Sequence, residues 1–545
     1  MVAKGVDGTL EKSGNAITYY PLSANQTNIW NLECLFFGTP INAITTEIRI
    51  KHRVHYSLIQ EAINIVLAKD VSLRTRIHLE DGVPKQYLVP FEKEIFQFLD
   101  FSMTDEEGIA HWAATMSRDP LPLYDGPLYQ CVVFRIDNNT AGILVRMHHI
   151  ISDGWTQLMF CNRVGQTYLE LVSGKQPSLE EAPPYLNHLD AEKEYFESEE
   201  YIEDRNFWQN QIELAGPPTS VKTFKGNSLS PVGRRKTFQL PQTLNHAIYS
   251  FCMENRIAPF SVFYIALATY MARVTGEKTL TVGVPVFNRM NFAFKQTSGM
   301  FVSTLPLVFT VDEELTFDES FKKFGDHWLD TLRHQRFPFG EMLKLQNRSE
   351  ELFHIVLSYQ DGTMLESGES SVSFAGNWYY SGFQKEHLCI HMTNIEENRK
   401  YAISYDYLTQ VFTEKEIEEV HTHLCHILRA ALENPQKATN TLLPLNDELR
   451  ETVLYAFNRS SKPFHYHRLY DLFSSIESRF PNRVALIENG QRISYSALRF
   501  RAGAIASHLD TPGDVVAVLL PKGIPLFASL IGILQSGCAC LATPL

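Results

Sequence analysis

Two adjacent histidines followed by an aspartate and a glycine form the segment of this sequence best suited to chemistry. They lie in MHHIISDGW, residues 147–155. Neighbouring side chains on a strand point to opposite faces, so one of His148 and His149 is expected to face the interior and the other a cleft. A neutral imidazole accepts a proton near pH 7. Gly154 permits a backbone conformation that other residues avoid, and amides at the start of a following helix can face a developing negative charge.

The same residues also fit a plainer interpretation, in which a core histidine lies beside an exposed one in a loop. A metal site is disfavoured because adjacent histidines lack the spacing of zinc ligands. His423 and His426 share only an i, i+3 face of a predicted helix, and Cys538 and Cys540 are expected to pack on one face of a strand. The sequence therefore predicts neither a metal nor a bound cofactor.

The elements that position the histidines alternate between strand and helix patterns. Residues 129–150 predict a strand, a turn and a strand that ends at the histidines, and residues 151–174 predict a turn and a helix. Residues 46–54 alternate like a strand, and residues 55–70 carry apolar side chains at helical spacing. This alternation predicts an α/β protein.

Composition excludes several classes of function. The 545 residues include 49 Lys and Arg against 62 Asp and Glu, a net charge of −13, which disfavours nucleic acid as a partner. The polar N-terminus predicts no signal peptide, and no run of uncharged apolar residues is long enough to predict a membrane span. The eight cysteines follow no disulfide framework, as is typical of reduced thiols in a cytoplasmic protein.

The motif at 148–155, HHIISDGW, resembles the HHxxxDG signature of the condensation domains of nonribosomal peptide synthetases, members of the chloramphenicol acetyltransferase-like superfamily. Asn28 stands where the first motif of that family usually has arginine, and Ser303 stands where a later motif has asparagine. The other segments that resemble family motifs, in the family's order, are residues 20–33, 72–77, 283–289, 298–307, 334–339 and 353–361.

The resemblance implies two chloramphenicol acetyltransferase-like lobes in a V-shaped pseudo-dimer, residues 16–180 and 181–438, after an N-terminal tail or docking segment at 1–15. It further implies that carrier proteins deliver two thioesters on phosphopantetheine arms. The amine of the acceptor aminoacyl group then attacks the donor acyl group, and an amide forms.

Carried onto this sequence, the resemblance makes His149 the general base or the group that orients the amine, and His148 the support beneath it. Asp153 is interpreted as half of an ion pair that fixes the loop, with Arg74 or Arg289 as its partner, rather than as a member of a catalytic triad. The residues expected to meet the oxyanion or line the substrate tunnel are Gly154, Trp155, Ser303, Thr304, Gln335 and Ser358.

After a predicted linker at 439–460, residues 461–545 resemble the beginning of an adenylation domain. RISYSAL at 492–498 and LQSGCACLATPL at 534–545 are similar to two of its motifs, with Ala497 where glutamate is usual. The family's phosphate-binding loop does not occur in this sequence, so we expect no ATP binding or adenylation by this segment. The natural chain is expected to continue, because a parallel α/β sheet needs more strands than this to bury both faces.

The subtype of condensation domain is left open by the motifs. An initiating domain, which takes a fatty acyl group from coenzyme A or an acyl carrier, is favoured over an elongation domain fed by an upstream subunit. A noncatalytic scaffold that recruits carriers is disfavoured because the second histidine and the glycine are both present. A stand-alone acyltransferase is disfavoured by the adenylation-like segment, which implies modular assembly.

Overall fold

The structure is a computed structural model. It describes residues 17–542 except 52–54, 223, 225–229, 347–350, 362–372, 396–399, 446 and 461–464. The predicted tail at 1–15 and the end of the strand predicted at 46–54 lie outside the described residues. The chain divides into two compact units, with the boundary between residues 446 and 447.

The first lobe of the N-terminal unit places strands and helices in alternation up to the histidine pair. Short 3-10 turns cover Pro40–Asn42 and Val71–Arg74. The strands are β1 (Tyr20–Pro21), β2 (Ala43–Lys51), β3 (Thr75–Glu80), β4 (Val83–Leu88), β5 (Gln97–Asp100), β6 (Tyr129–Arg135) and β7 (Thr140–His148). The helices are α1 (Ala24–Leu35), α2 (Tyr56–Lys69), α3 (Glu106–Ser117) and α4 (Gly154–Val172).

The second lobe has the same kind of architecture and ends in a 3-10 turn at Thr439–Thr441. Its helices are α5 (Leu186–Phe196), α6 (Glu199–Leu214), α7 (Gln242–Asn255), α8 (Pro259–Thr275), α9 (Phe292–Lys295), α10 (Phe317–Arg333), α11 (Phe339–Leu345) and α12 (Glu414–Glu433). Its strands are β8 (Gly233–Gln239), β9 (Thr279–Val286), β10 (Ser303–Thr310), β11 (Ile355–Asp361), β12 (Ser373–Tyr379), β13 (Leu388–Ile395) and β14 (Lys400–Leu408).

Each lobe is built on one large sheet. The first-lobe sheet has the strand order β12-β2-β7-β6-β5, and the second-lobe sheet has the order β10-β9-β11-β13-β14-β8. A smaller sheet, β1-β4-β3, completes the first lobe. Strand β12 comes from the sequence of the second lobe but pairs antiparallel with β2, so two contiguous segments do not fully describe the lobes. The mixed α/β architecture predicted from the sequence is confirmed.

Apolar side chains explain why these elements pack as they do. Every residue of β7 from Ala141 to His148 is buried, because helices cover both faces of the central strand. The apolar face of α2, including Ile59, Ile63 and Val66, is fully buried against this sheet. Helices α10 and α12 begin with capping boxes at Thr316 and Thr413, which satisfy amides that a helix leaves free at its start.

The predicted linker does not begin where the sequence places it. Thr439 is buried, its amide donates to the carbonyl of Leu315 at 2.9 Å, and its hydroxyl donates to the carbonyl of Asp312 at 3.0 Å. Leu442 is 1% exposed and belongs to the core of the second lobe. Residues 439–442 therefore complete this lobe, because their polar and apolar groups are both satisfied by it.

The C-terminal unit begins with α13 (Asp447–Glu451) and a π-helical turn at Thr452–Ala456. The antiparallel hairpin of β15 (Val484–Glu488) and β16 (Gln491–Ser494) and the parallel pair of β17 (Val515–Val518) and β18 (Ala539–Ala542) follow. Its remaining helices are α14 (Leu469–Arg479), α15 (Tyr495–Ala506) and α16 (Ile524–Gln535). Two parallel strands joined by a helix form a βαβ unit, the repeating unit of a parallel α/β sheet.

In the described part of the chain, no single helix is both long and apolar enough to cross a membrane. Helices α7 and α8 together have the length and apolar composition of a membrane span, but the chain bends by 114° between them.

Candidate active site

The histidine pair is fixed by the backbone on both sides. The amide of His148 donates to the carbonyl of Leu128 at 2.8 Å, and the amide of His149 donates to the carbonyl of Asn42 at 2.7 Å. The side chain of His148 is 2% exposed, whereas that of His149 is only partly buried. His149 follows the last residue of β7 and lies in the turn, and its side chain is the more exposed of the two.

His148 supports the site from within the protein. Its Nδ1 accepts a hydrogen bond from the amide of Ile150 at 3.1 Å, and its Nε2 lies 3.6 Å from Oε2 of Glu33. Glu33 itself accepts a hydrogen bond from the side chain of Asn42 at 2.8 Å. Because Nδ1 is an acceptor, a neutral His148 carries its proton on Nε2, which faces the buried carboxylate.

His149 is the ring that is free to react. Its Nδ1 lies 3.1 Å from Sδ of Met300, a residue of the second lobe. Burial disfavours the charged ring and the negative charge of Asp153 only partly offsets this, so the pKa of His149 lies below its ordinary value of 6.5. The imidazole is therefore neutral near pH 7 and can accept a proton.

Asp153 is fully occupied by structural contacts. Its carboxylate caps helix α4 through the amide of Thr156 at 2.8 Å and binds Arg289 at 2.7 and 3.1 Å. It also accepts hydrogen bonds from the amides of Phe301 at 3.1 Å and Val302 at 3.2 Å. Burial alone raises the pKa of Asp153, but the charge and hydrogen bonds of Arg289 outweigh it and hold the pKa below 3.8. The carboxylate is an anchor between the lobes.

Of the two arginines predicted as partners of Asp153, the structure pairs it with Arg289. Arg74 instead donates to the carbonyl of Val89 at 3.1 Å. The charge with the largest effect on its pKa is that of Asp70. Arg289 also lies over the ring of Phe301, 4.3 Å from its centre. The sequence could not distinguish Arg74 from Arg289 as the partner of Asp153, because both lie in segments that resemble family motifs. Only the fold selects between them.

Gly154 is the first residue of helix α4, and its backbone does not adopt the left-handed conformation. The expectation that glycine serves an unusual backbone conformation here is wrong, because helix geometry suits any residue at this position. A Cβ added at Gly154 would meet only the ring of Trp378, at 3.9 Å. An alanine side chain at this position would therefore make one ordinary contact and no clash.

Trp155 joins the lobes and does not line the cavity beside the site. Its indole Nε1 donates to the carbonyl of Lys295 at 2.9 Å, and its ring meets that of Phe287 edge-on at 5.5 Å. Both contacts belong to the second-lobe segment that follows β9. The side chain therefore helps to hold this segment on the first lobe.

A cavity of about 530 Å³ includes Met300, which contacts His149, in its wall, but His149 itself does not line it. Helix α1 supplies an apolar side, and the second lobe supplies a more polar one. Of the predicted tunnel residues, Ser303 and Thr304 line this cavity, whereas Gln335 and Ser358 do not. The hydroxyl of Ser303 is buried and has no hydrogen-bond partner among the described residues.

Sequence reasoning missed two features of this cavity. Met300 touches His149, and the stacked rings of His354 and His387, 3.9 Å apart with planes 10° from parallel, form part of the polar wall. Burial lowers the pKa of His387 to about 4, so its ring is neutral. Met300 and His354 lie inside segments that resemble family motifs, but no rule of spacing distinguishes them there.

Among the described residues, no group of three His, Cys, Asp or Glu side chains is arranged to hold a metal ion. His421, one of the histidines of α12, stacks on Phe238 at 4.0 Å. Its Nδ1 lies 3.1 Å from the hydroxyl of Tyr405. Burial lowers the pKa of His421 to about 4. His421 is therefore a neutral ring that packs against aromatic neighbours.

Two family models match this chain. The condensation domain matches residues 16–454, and the AMP-binding enzyme matches residues 473–543. The chain belongs to the condensation domain family, and the match to the AMP-binding enzyme family lies within its C-terminal unit. Condensation domains catalyse amide-bond formation, so the larger unit is an acyltransferase domain.

Relatives include surfactin synthase subunit 1 of Bacillus subtilis (strain 168), 28% identical over 535 residues, and a dimodular nonribosomal peptide synthase of the same organism, 24% identical over 535 residues. Each alignment covers 96% of this chain but only 15% and 22% of the respective relative. The chain therefore spans less than a quarter of the length of these two relatives.

Solved structures show the same fold. A variant of the starter condensation domain of rhizomide synthetase in complex with C8-CoA has a TM-score of 0.69 at 21% identity, covering 78% of this chain and 97% of that one. The first condensation domain of the CDA synthetase has a TM-score of 0.70 at 17% identity, covering 79% of this chain and 99% of that one.

Proposed function

We propose that this protein is the condensation region of a nonribosomal peptide synthetase that joins a donor acyl thioester to a carrier-bound aminoacyl amine. The observation that carries the proposal is His149, a partly exposed imidazole of lowered pKa that contacts Met300 in the wall of a cavity. Its partners are peptidyl carrier domains that present both substrates on phosphopantetheine, with acyl-CoA or an acyl carrier protein as an alternative source of the donor.

In the proposed reaction, the amine nitrogen attacks the thioester carbonyl carbon and the carbon–sulfur bond breaks. The proton lost by the amine moves to Nε2 of His149 and then to the departing thiolate, so an amide and a free thiol result. The backbone at Gly154, at the start of helix α4, is the group that we assign to the oxyanion. Asp153 holds this helix and takes no part in the proton transfer.

An initiating subtype with a fatty acyl donor is the form of this function that we favour. Helix α1 and the residue after it give the cavity an apolar wall through Ile29, Leu32, Leu35 and Phe36. Each methylene that an alkyl chain buries there contributes about 0.8 kcal/mol. The likeness to a starter condensation domain in complex with C8-CoA supports this choice. An elongation domain that receives a peptidyl or aminoacyl donor from an upstream subunit is the alternative.

A mass-spectrometric acyl-transfer assay tests the proposal. A carrier-bound aminoacyl acceptor is offered with fatty acyl-CoA, with a carrier-bound fatty acyl group, or with a carrier-bound aminoacyl group. We expect amide product from the fatty donors, and its loss in His149→Ala but not in His111→Ala, a control on the exposed face of α3. Circular dichroism verifies that both variants fold.

The outcomes separate the subtypes. Product from aminoacyl donors alone would replace the initiating subtype with an elongation domain. Product that persists in folded His149→Ala would remove the histidine from the mechanism. No product from any donor, together with binding of the carrier domains, would favour a noncatalytic scaffold.

A further inference from the structure

A second cavity, of about 200 Å³, lies between the start of helix α1, one face of helix α5 and the segment 288–294 that follows β9. We call it the α5 cavity. Asn25 lines both this cavity and the one of about 530 Å³, so the two share a wall residue. The α5 cavity therefore lies close to the candidate active site without belonging to it.

The carboxylate in the wall of the α5 cavity lacks a cation. Both oxygens of Glu192 lie 3.1 Å from the amide nitrogen of Ala24, which donates to them. Nε2 of His188, one helical turn earlier, lies 4.0 Å from Oε1 of Glu192. Burial, together with the charges of Arg289 and Arg336, lowers the pKa of His188 to about 4, so this ring is neutral. Among the described residues, no lysine or arginine lies within 4.0 Å of Glu192.

Two more polar atoms of the wall have no partner. Oδ1 of Asn288 and Nε2 of His188 are buried and make no hydrogen bond within the described part of the chain. An amide oxygen is an acceptor, and a neutral imidazole has one acceptor nitrogen. Buried polar atoms in proteins are normally hydrogen-bonded. The wall thus presents acceptors and needs a donor.

Two donor side chains of the wall are already engaged elsewhere. Asn25 donates to the carbonyl of Phe301 at 2.8 Å. Arg336 donates to Glu200 at 2.6 Å, and its guanidinium lies 4.3 Å from the centre of the Tyr195 ring. The charge of Arg336 is therefore compensated by Glu200, and a ligand can supply the donor that the acceptors lack.

We propose that the α5 cavity binds a primary ammonium group on a short alkyl chain, which donates to Glu192, Asn288 and His188. An ammonium group has three donors and no acceptor, which matches this set. Phe294 lines the same cavity and offers apolar surface to the alkyl chain. The ammonium belongs to a free small amine or, because Asn25 lines both cavities, to the side chain of a basic acceptor aminoacyl group. Only the second source rests on the function proposed above.

Proton release is a signature of this binding mode. Burial raises the pKa of Glu192 to about 7, and the hydrogen bond from Ala24 opposes this only in part. An alkylammonium ion titrates near pH 10, so it stays charged while it displaces the proton of Glu192. The other titratable or charged groups around this carboxyl group are His188, Tyr185, Tyr195, Arg289 and Arg336 with its partner Glu200. His188 is neutral, and burial raises the pKa of both tyrosines, so Glu192 is the group that changes charge near pH 7.

Calorimetric titration of the full-length protein with propylammonium chloride tests the proposal, with uncharged 1-propanol as the control ligand. The variants are Glu192→Gln, which keeps an acceptor for the amide of Ala24, and Asn288→Gly, which tolerates the φ of 48° at this position. Glu194→Gln, at an exposed glutamate of the same helix, is the matched control. Circular dichroism verifies that each variant folds.

We expect wild type to bind propylammonium but not 1-propanol, with an affinity that rises from pH 6 to pH 8. The dissociation constant should increase by about tenfold or more in Glu192→Gln, the effect of one charged hydrogen bond, and the dependence on pH should disappear. Asn288→Gly should weaken binding by about fivefold, and Glu194→Gln should bind like wild type. If Glu192→Gln does not fold, Asn288→Gly carries the comparison.

No binding of propylammonium by wild type, or equal binding by wild type and the folded cavity variants, would overturn the inference. His188 and Glu192 would then satisfy each other through water. The acyl-transfer assay separates the two sources of the ammonium group. A preference for a carrier-bound lysyl over a norleucyl acceptor that is lost in Glu192→Gln assigns the cavity to the acceptor side chain, and equal use of both assigns it to a free amine. If no acyl group is transferred at all, the proposed function fails, whereas the calorimetry still decides whether the cavity binds an amine.

Discussion

Removing the carboxylate of Asp153 is the perturbation that most sharply separates an anchor from a catalytic group. In Asp153→Ala, Arg289 loses both of its bonds to Asp153, and its guanidinium is left buried with only 6% of the residue exposed. Loss of one partner of a buried ion pair costs about 3–5 kcal/mol, and loss of a helix cap adds about 1 kcal/mol. This is a large part of the stability of a typical domain, about 5–15 kcal/mol.

A matched control isolates the ion pair from the cap. Asp105 caps helix α3 through the amide of Gly108 at 2.8 Å, and it has the same chemistry as Asp153 at its helix start but an exposed side chain. Asp105→Ala is therefore expected to cost only about 1 kcal/mol. The double variant Asp153→Ala with Arg289→Met should be less destabilised than the two single variants predict together, because it buries no unpaired charge.

Two measurements are needed. Urea unfolding gives the free energies, and hydrogen exchange followed by mass spectrometry reports the amides of Phe301 and Val302, which Asp153 protects directly. We expect both amides to exchange faster in Asp153→Ala and at the wild-type rate in Asp105→Ala. A loss of acyl transfer in an Asp153→Ala protein whose stability and exchange match wild type would refute the anchor role and assign Asp153 to the chemistry.

The remaining predictions concern the pH profile and two neighbours of the site. Because the pKa of His149 lies below 6.5, kcat/KM for acyl transfer should rise with pH along a limb centred below pH 6.5. A limb centred above pH 7 would contradict a neutral base. Gly154→Ala should change the unfolding free energy by less than about 1 kcal/mol, so a loss of acyl transfer at unchanged stability would indicate that substrate approaches this backbone. Trp155→Phe removes the hydrogen bond to Lys295 and should lower the free energy of unfolding by about 1 kcal/mol with little change in kcat; an unchanged urea midpoint would mean that this bond contributes nothing.

The parts of the site that follow one another along the chain were predictable. Strand β7, the turn and helix α4 are continuous along the chain, so local sequence patterns suffice to predict the elements that carry His148 and Asp153. The cap at Asp153 follows from the same local pattern, because aspartate before an apolar helix is a common start signal. For these residues, the fold adds precision to what the sequence predicts.

The parts contributed by distant segments were predictable only where the resemblance to the family restricts the choice. The family motifs limited the cationic partners of Asp153 to Arg74 and Arg289, and the fold selects Arg289. The contact of Met300 with His149 was not predictable in this way, because a methionine inside a family-like motif is also compatible with simple packing. Strand β12 was missed for a related reason, since pairing with β2 joins segments more than 300 residues apart.

The two carboxylates that bind residues 298–302 show that hydrogen-bond partners, rather than burial alone, decide whether a buried carboxylate stays charged. Asp70 and Asp153 are both buried, with 1% and 0% of the residue exposed. Asp153 receives two bonds from Arg289 and three from backbone amides, and its pKa is lowered.

Asp70 binds Arg163 at 2.7 Å and Ser298, but its Oδ1 has no hydrogen-bond partner among the described residues, and burial raises its pKa. A lowered pKa means that the contribution of Asp153 to stability is complete above its unfolded pKa and is lost only as the pH falls through the folded value. The raised pKa of Asp70 has the opposite sign, so its ionisation lowers stability as the pH rises. Asp153 is therefore the firmer anchor at neutral pH, holding the amides of Phe301 and Val302, and Asp70 is the weaker of the two.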